Sequence, residues 1–214
     1  MSPLQTKLPT DIWVPATWEE YVQVTADPVY AKAKGYYDNG RMRIETVGVG
    51  PDHASVNTLI IFAINLYCTL LGVPLQGLTN CSYRQIGVRE VQPDVSYYFG
   101  DRAQLAPQGS AIADLATVSP PDLAIEIADS SLNDDLGQKR LLYEDLAIPE
   151  YWVVDVENRQ ILAFEIANGG SRRIAESKVL PGLAIAVLRQ ALEMSRERDQ
   201  AQVGAWLLSQ FQQQ

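Results

Sequence analysis

The sequence predicts an α/β or α+β domain in which helices flank a mixed central sheet. Three observations carry this expectation. The elements read in the order helix, hairpin, helix, strands, helix, strands, helix. Two runs, DLAIEIA at 122–128 and YWVVDV at 151–156, are short, apolar and bounded by turn formers, as strands buried on both faces are. The stretch after Pro51 instead repeats its apolar residues at a spacing near that of a helix.

In chain order, Thr17-Trp18-Glu19-Glu20 has the form of a capping box opening a short helix. Asn39-Gly40 supplies the two positive φ values of a tight turn, so Tyr36-Tyr37-Asp38 and 41–46 form a hairpin. Pro51-Asp52 opens the next helix, with Asp52 expected as its cap. Ile60, Ile61, Ile64 and Tyr67/Cys68 carry that helix on, and Gly72 ends it. Strands are expected at 75–85 and 91–99, and a loop or small excursion at 100–121. After the strand 122–128, Ser130 or Ser131 caps a helix running through Leu136, Lys139, Leu142 and Leu146, stopped by Pro149-Glu150. A second buried strand follows. A hairpin pairs 160–166 with 172–178 around Asn168-Gly169-Gly170, and a short apolar run occupies 183–188. From about 189 to 211 the sequence reads as one charged, Gln-rich amphipathic helix whose Leu192, Trp206, Leu207 and Phe211 need a surface to cover them.

A chain of 214 residues, 47% of them apolar, can bury one sizeable core. The expected organisation is a single domain over 1–188, followed by the amphipathic helix of 189–214 as an assembly element. No apolar run reaches the roughly 18 residues of a membrane span. The best, 58–73, is interrupted by Asn65 and Gly72, so no membrane partner is expected. MSPLQTKLPTDIW has no basic segment followed by an apolar stretch, so no leader is expected. Cys68 and Cys81 form neither a disulfide framework nor a metal-ligand spacing, and a reducing cytoplasm is the expected location. A lone histidine, His53, argues against zinc held by several imidazoles or thiolates and leaves oxygen ligands, which suit magnesium or manganese. The net charge of −9 counts against a broad phosphate-binding face.

Three residues stand out as chemical candidates. Asp94 follows a proline within the strand region 91–99. Glu126 interrupts an apolar strand, where an isolated buried charge is very unfavourable unless it is paired, hydrogen-bonded or bound to metal. Lys139 lies one helix later. Two carboxylates from neighbouring strands can grip a hard cation, the Ile127 carbonyl can add a ligand, and a lysine can stabilise charge in phosphoryl chemistry. Asp135, four residues before Lys139, equally allows a plain helix ion pair. Four accessory residues have two readings each. Glu45 is an exposed strand acid or a third acid at the rim of the site. His53 is structural or a substrate contact. Asp122 is a solvated strand end or a reserve ligand. Tyr143 packs in the core or supports the lysine through its hydroxyl. Asp155, in PEYWVVD, is read as structural.

The run PPDLAIEIADSS, then DLGQKRLLYEDLAIPEYWVVDVENRQI, resembles the restriction-endonuclease family called Uma, and NGRMRIETVGVGPDHASVN and REVQPDVSYYF are similar to its N-terminal half. The resemblance covers roughly residues 17 to 188. It implies a restriction-endonuclease-like fold of the PD-(D/E)xK class, with Asp94 and Glu126 as the catalytic carboxylates. The lysine of the general pattern, two residues after the glutamate, is replaced here by Ala128; the resemblance implies that Lys139 takes its place.

The leading expectation is a magnesium- or manganese-dependent endonuclease cutting nucleic acid, with DNA favoured over RNA. The alternative is a catalytically inactive nuclease-fold protein that binds or assembles, in keeping with the acidity and with Ala128. A hydrolase for small phosphorylated substrates is the third reading. A homo-oligomer is expected through the tail helix.

Overall fold

The computed structural model describes residues 8–46 and 48–212. The expectation of no leader rests partly on residues 1–7, which lie outside the described residues. Strand β1 (Val14–Pro15) leads into α1 (Trp18–Ala26), opened by the expected capping box. Glu20 donates its amide to Thr17 Oγ1 at 3.2 Å and accepts from the Thr17 amide at 2.7 Å. The hairpin β2 (Lys34–Asp38) and β3 (Arg41–Glu45) turns at Asn39 and Gly40, with φ of 43° and 89°. Helix α2 (Pro51–Leu71) is capped by Gly50, not by Asp52. Proline suits the first helical position, which sets the cap one residue ahead of it and leaves Asp52 in the first turn, favourable to the helix dipole.

The two expected strands at 75–85 and 91–99 are four. They are β4 (Leu75–Thr79), β5 (Tyr83–Gln85), β6 (Arg89–Val91) and β7 (Val95–Phe99). The breaks fall at Asn80, with φ of 52°, and at Pro93, which has no N–H for a ladder. The segment 100–121 holds a 3₁₀ turn and the two-residue β8 (Ala113–Asp114) before β9 (Leu123–Ala128). The expected single helix after Ser131 is two, α3 (Leu132–Asp135) and α4 (Gln138–Asp145), joined at Gly137. A Cβ on Gly137 would stand 2.8 Å from the Asn133 carbonyl oxygen, so the close approach of backbone at this bend requires glycine. Strand β10 (Glu150–Asp155) and the hairpin β11 (Gln160–Ala167) and β12 (Gly170–Ile174) follow. The tail is two helices, α5 (Ile185–Met194) and α6 (Gln200–Phe211), the second capped by Asp199.

The architecture is α+β, as expected, but the central sheet is two six-stranded sheets. One runs β12-β11-β10-β9-β7-β4, and the other β1-β3-β2-β6-β5-β8. Both are mixed: β9 and β10 are parallel in the first, β5 and β8 in the second. The two breaks explain the division, because the chain leaves the first sheet between β4 and β5 and returns to it between β6 and β7. The Asn80 amide donates to the Asp94 carbonyl at 3.1 Å and ties the two crossings together.

Alternation along β9 sorts its side chains. Leu123, Ile125 and Ile127 join the core beneath α2, α5 and α6, while Ala124 and Ala128 join the core beneath α4. Glu126 shares the second face and so points toward α4. Leu192, Leu207 and Phe211 of the tail are buried in the first core, with Trp206 packed against it and Phe211 edge-on to Tyr67 at 5.1 Å. The surface they were expected to find in a partner is supplied by α2 and the sheet of the same chain. Helix α2 itself is long and apolar enough to cross a membrane, contrary to the expectation from 58–73, yet Val56, Leu59, Ile60, Ala63, Ile64, Tyr67 and Cys68 pack into this core.

Candidate active site

A cleft of about 560 Å³ is lined by residues of β2, β3, β9, α2, α4 and the 92–94 crossing. Strands β7 and β9 pair with Val95 opposite Ile125, so continuing that register sets Asp94 opposite Glu126. Their ladder ends there, and the Ile127 amide donates to Asp94 Oδ2 at 2.8 Å. The expected pair of carboxylates is therefore brought together, with Ile127 between them. The recorded contact of Ile127 is through its amide.

Glu126 is 2% exposed. Its Oε1 accepts from the hydroxyls of Tyr36 at 3.1 Å and Tyr143 at 2.7 Å; Oε2 makes no hydrogen bond among the described residues. Burial pushes its carboxyl up to about 8, with Lys139 and Lys34 pulling the other way. Asp94 is shifted in the opposite direction. Burial alone would raise it, but His53 and Lys34 outweigh burial and hold it well below the usual carboxylate range. Lys34 Nζ lies 2.5 Å from Asp94 Oδ1, and His53 Nε2 lies 3.4 Å from Oδ2. Two neighbouring carboxyls with pKa values driven apart are the pattern by which sites divide acid and base roles.

Lys139 reaches the cleft from α4 but is 1% exposed. Its Nζ is 2.8 Å from Glu45 Oε1, 2.9 Å from Asp135 Oδ1 and 3.9 Å from Glu126 Oε1. The helix ion pair with Asp135 and the approach to the site thus coexist. Burial disfavours the ammonium, but the three acids around it outweigh burial and keep it charged. Glu45, which burial would raise, is lowered by Lys139 and Arg43, whereas burial raises Asp135. Glu45 is the expected acid of the rim, and His53 faces Asp94.

Two expectations need correction. Asp122 is neither a solvated end nor a reserve ligand: it is buried just before β9, accepts from the Phe99 amide at 2.8 Å and pairs with Arg102. It stands four residues from Glu126 along an extended chain, too far to share its cleft. Tyr143 supports Glu126 and not the lysine. Asp155 is structural, accepting from the amide of Asn158 at 2.9 Å.

Sequence reasoning missed Lys34, Tyr36 and Arg43 as residues of the site. Arg43 Nε is 2.8 Å from Glu45 Oε1 and 3.2 Å from Asp134 Oδ2. The hairpin register was the available signal: an Asn-Gly turn fixes Lys34 opposite Glu45 and Tyr36 opposite Arg43. Among the described residues, no group of three His, Cys, Asp or Glu side chains is arranged to hold a metal ion.

A family model, Uma2, described as "Putative restriction endonuclease", matches residues 18–202. That match runs past the resemblance of 17 to 188 and takes in α5. No curated protein matches the chain. A crystal structure from Anabaena variabilis ATCC 29413, described as "a putative nuclease belonging to DUF820", is similar with a TM-score of 0.56 and 15% identity, over 91% of this chain and 100% of that one. At that identity the likeness speaks for the fold, which is nuclease-like. With its family match spanning both sheets and both carboxylates, the chain belongs to the Uma2 family.

Proposed function

We propose that the chain is a metal-dependent endonuclease hydrolysing phosphodiester bonds of nucleic acid, with magnesium or manganese as its metal and DNA as its substrate. One observation carries the reading: Asp94 and Glu126 stand in register across the end of a strand pair, with the Ile127 amide donating to Asp94 Oδ2 at 2.8 Å, in an open cleft that is also lined by lysines. The donor set fits a hard cation. Asp94 is anionic, and among the described residues Glu126 Oε2 makes no hydrogen bond and the cleft lining holds no cysteine and a single imidazole, His53. Asp94, Glu126 and the Ile127 carbonyl would hold the cation. A bound divalent ion would lower the pKa of water and neutralise charge on the phosphate. Tyr36 and Tyr143 hold Glu126 by one oxygen and leave the other to bind. Lys139 keeps Glu45 and Glu126 in place.

Purified full-length protein incubated with single- and double-stranded DNA and with RNA, in magnesium or manganese, tests the reading. Cleavage is expected with the wild type and a loss of about 100-fold or more in Asp94→Asn and Glu126→Ala. Cleavage unchanged by Glu126→Ala would defeat it. The second reading, a non-catalytic scaffold, is favoured by Ala128, which puts a buried methyl where the general pattern has lysine; metal binding abolished by Asp94→Asn would count against it.

Self-association belongs to the proposal, on a different surface from the one first expected. No charged residue occurs at 54–83 or at 200–212. Where these segments meet, α2 and α6 frame an apolar groove of about 440 Å³ beside Phe62 and Leu208. Two copies of a chain of charge −9 repel across their charged faces, and this face lets them approach with the least repulsion.

A further inference from the structure

Of the three lysines that line the cleft, Lys32 is exposed, and Lys34 and Lys139 are placed very differently. Lys139 has three N–H donors. Its Nζ stands in ion pairs 2.8 Å from Glu45 Oε1 and 2.9 Å from Asp135 Oδ1, and 4.2 Å from the centre of the Tyr36 ring. With a side chain 1% exposed, its ammonium is enclosed among these acids and the Tyr36 ring. It also approaches Glu126 on the Oε1 side, where the two tyrosine hydroxyls already sit. Lys34 has a side chain 20% exposed and, among the described residues, a single ion-pair partner, Asp94 Oδ1. Its cross-strand neighbour Glu45 does not neutralise it, because Glu45 is engaged by Lys139 and Arg43. The ammonium of Lys34 therefore faces the cleft with two donors to spare.

We propose that Lys34 is the catalytic lysine of this site, contacting a non-bridging oxygen of the substrate phosphate, and that Lys139 is a positioning residue acting through Glu45 and Glu126. The substrate class, a phosphodiester, rests on the nuclease reading. Lys34 balances the charge of Asp94 in the metal-free protein, and a divalent cation held by Asp94 would leave the ammonium to an incoming anion. In the hydrolysis, the new P–O bond comes from water, the bond to the leaving sugar oxygen breaks, and that oxygen takes up a proton. Lys34 contributes no atom. It holds the negative charge that gathers on the phosphoryl oxygen, where a fixed donor acts most strongly in the transition state.

The test uses full-length wild type, Lys34→Met and Lys34→Arg, with manganese affinity, inorganic phosphate affinity in saturating manganese, and cleavage measured on each. Methionine keeps the apolar stem of this half-exposed side chain, so folding is retained, and circular dichroism checks it. Lys34→Met should bind manganese as tightly as wild type or more tightly, since a competitor for Asp94 is gone. Its phosphate affinity should fall about tenfold and its kcat about 100-fold, with KM moving less. Lys34→Arg should recover part of both. Phosphate binding and cleavage within about twofold of wild type in Lys34→Met would overturn the assignment, as would a parallel loss of manganese affinity, which would make Lys34 a support for Asp94 only. Wild type that shows no saturable phosphate binding would also overturn it. Phosphate binding that depends on Lys34 in a protein that cuts no nucleic acid would sink the nuclease reading and leave the anion contact standing.

Discussion

At the scale of single residues, the site is a balance between burial and charge. Folded Glu126 keeps its proton up to about 8, against the ordinary value of 4.5. Between those values the folded chain binds more protons than the unfolded chain, so this residue lowers stability progressively as pH rises through that window. Glutamine cannot ionise and removes the penalty. In metal-free buffer, Glu126→Gln should therefore match the wild type in stability near pH 4 and exceed it by about 4 kcal/mol near pH 8, read as a difference in Tm across pH. A difference that stays constant with pH would show that Glu126 does not carry the proton. Asp94 works in the other sense: held low by His53 and Lys34, it contributes stability above the ordinary carboxylate range that is lost as pH falls through its folded value. Asp94 and Glu126 were legible because charge inside a proline-broken or apolar run is chemically conspicuous, whereas Lys139, in the polar run 137–145, rested on the family resemblance. Lys34 and Arg43 were not, because a polar residue in a hairpin strand looks solvated until a second sheet closes over it.

At the scale of elements, the turn chemistry was the most legible part. The Thr17 box, the Asn39-Gly40 turn and the Gly72 stop all stand where local backbone preference places them. Thr17→Ala should destabilise the fold by about 1 kcal/mol in denaturant melts and leave metal affinity unchanged, since α1 lies outside the cleft. The breaks were less legible. Leu132, Leu136, Leu142 and Leu146 keep an apolar pattern across Gly137, which hides the bend between α3 and α4. The bend matters to the site because Asp135 ends one helix and Lys139 begins the next, 2.9 Å apart. Gly137→Ala would force its Cβ against the Asn133 carbonyl oxygen, a backbone atom that cannot simply rotate away. We expect a loss of about 2 kcal/mol, together with weaker metal binding as Lys139 is displaced. Full retention of both would show that α3 and α4 can join at a different angle.

At the scale of the whole molecule, the apolar pattern of the tail was read correctly as a face needing cover, but its cover is internal. A sequence shows that a surface must be buried and not by what, and the 21-residue α2 was on hand in the same chain. The division into two sheets was hidden for a related reason: short strands broken at Asn80 and Pro93 carry no mark of which neighbour they will join. What the tail leaves outside is Leu208, 37% exposed, beside Phe62, 43% exposed, over Gly204. A Cβ on Gly204 would stand 3.0 Å from the Phe62 ring, so glycine lets the two helices come close there. A two-fold pairing of this face would set residues 54–71 of α2 and α6 of one copy on those of another, stretches that carry no Asp, Glu, Lys or Arg. Sedimentation at tens of micromolar should then give a dimer, and added salt should not weaken it, since the contact is apolar and salt screens the residual repulsion. Leu208→Glu should give a monomer with unchanged metal affinity, because the cleft lies on the opposite side of the first sheet from α6. A wild-type monomer under these conditions, or a dimer that survives Leu208→Glu, would remove the groove between α2 and α6 as the interface.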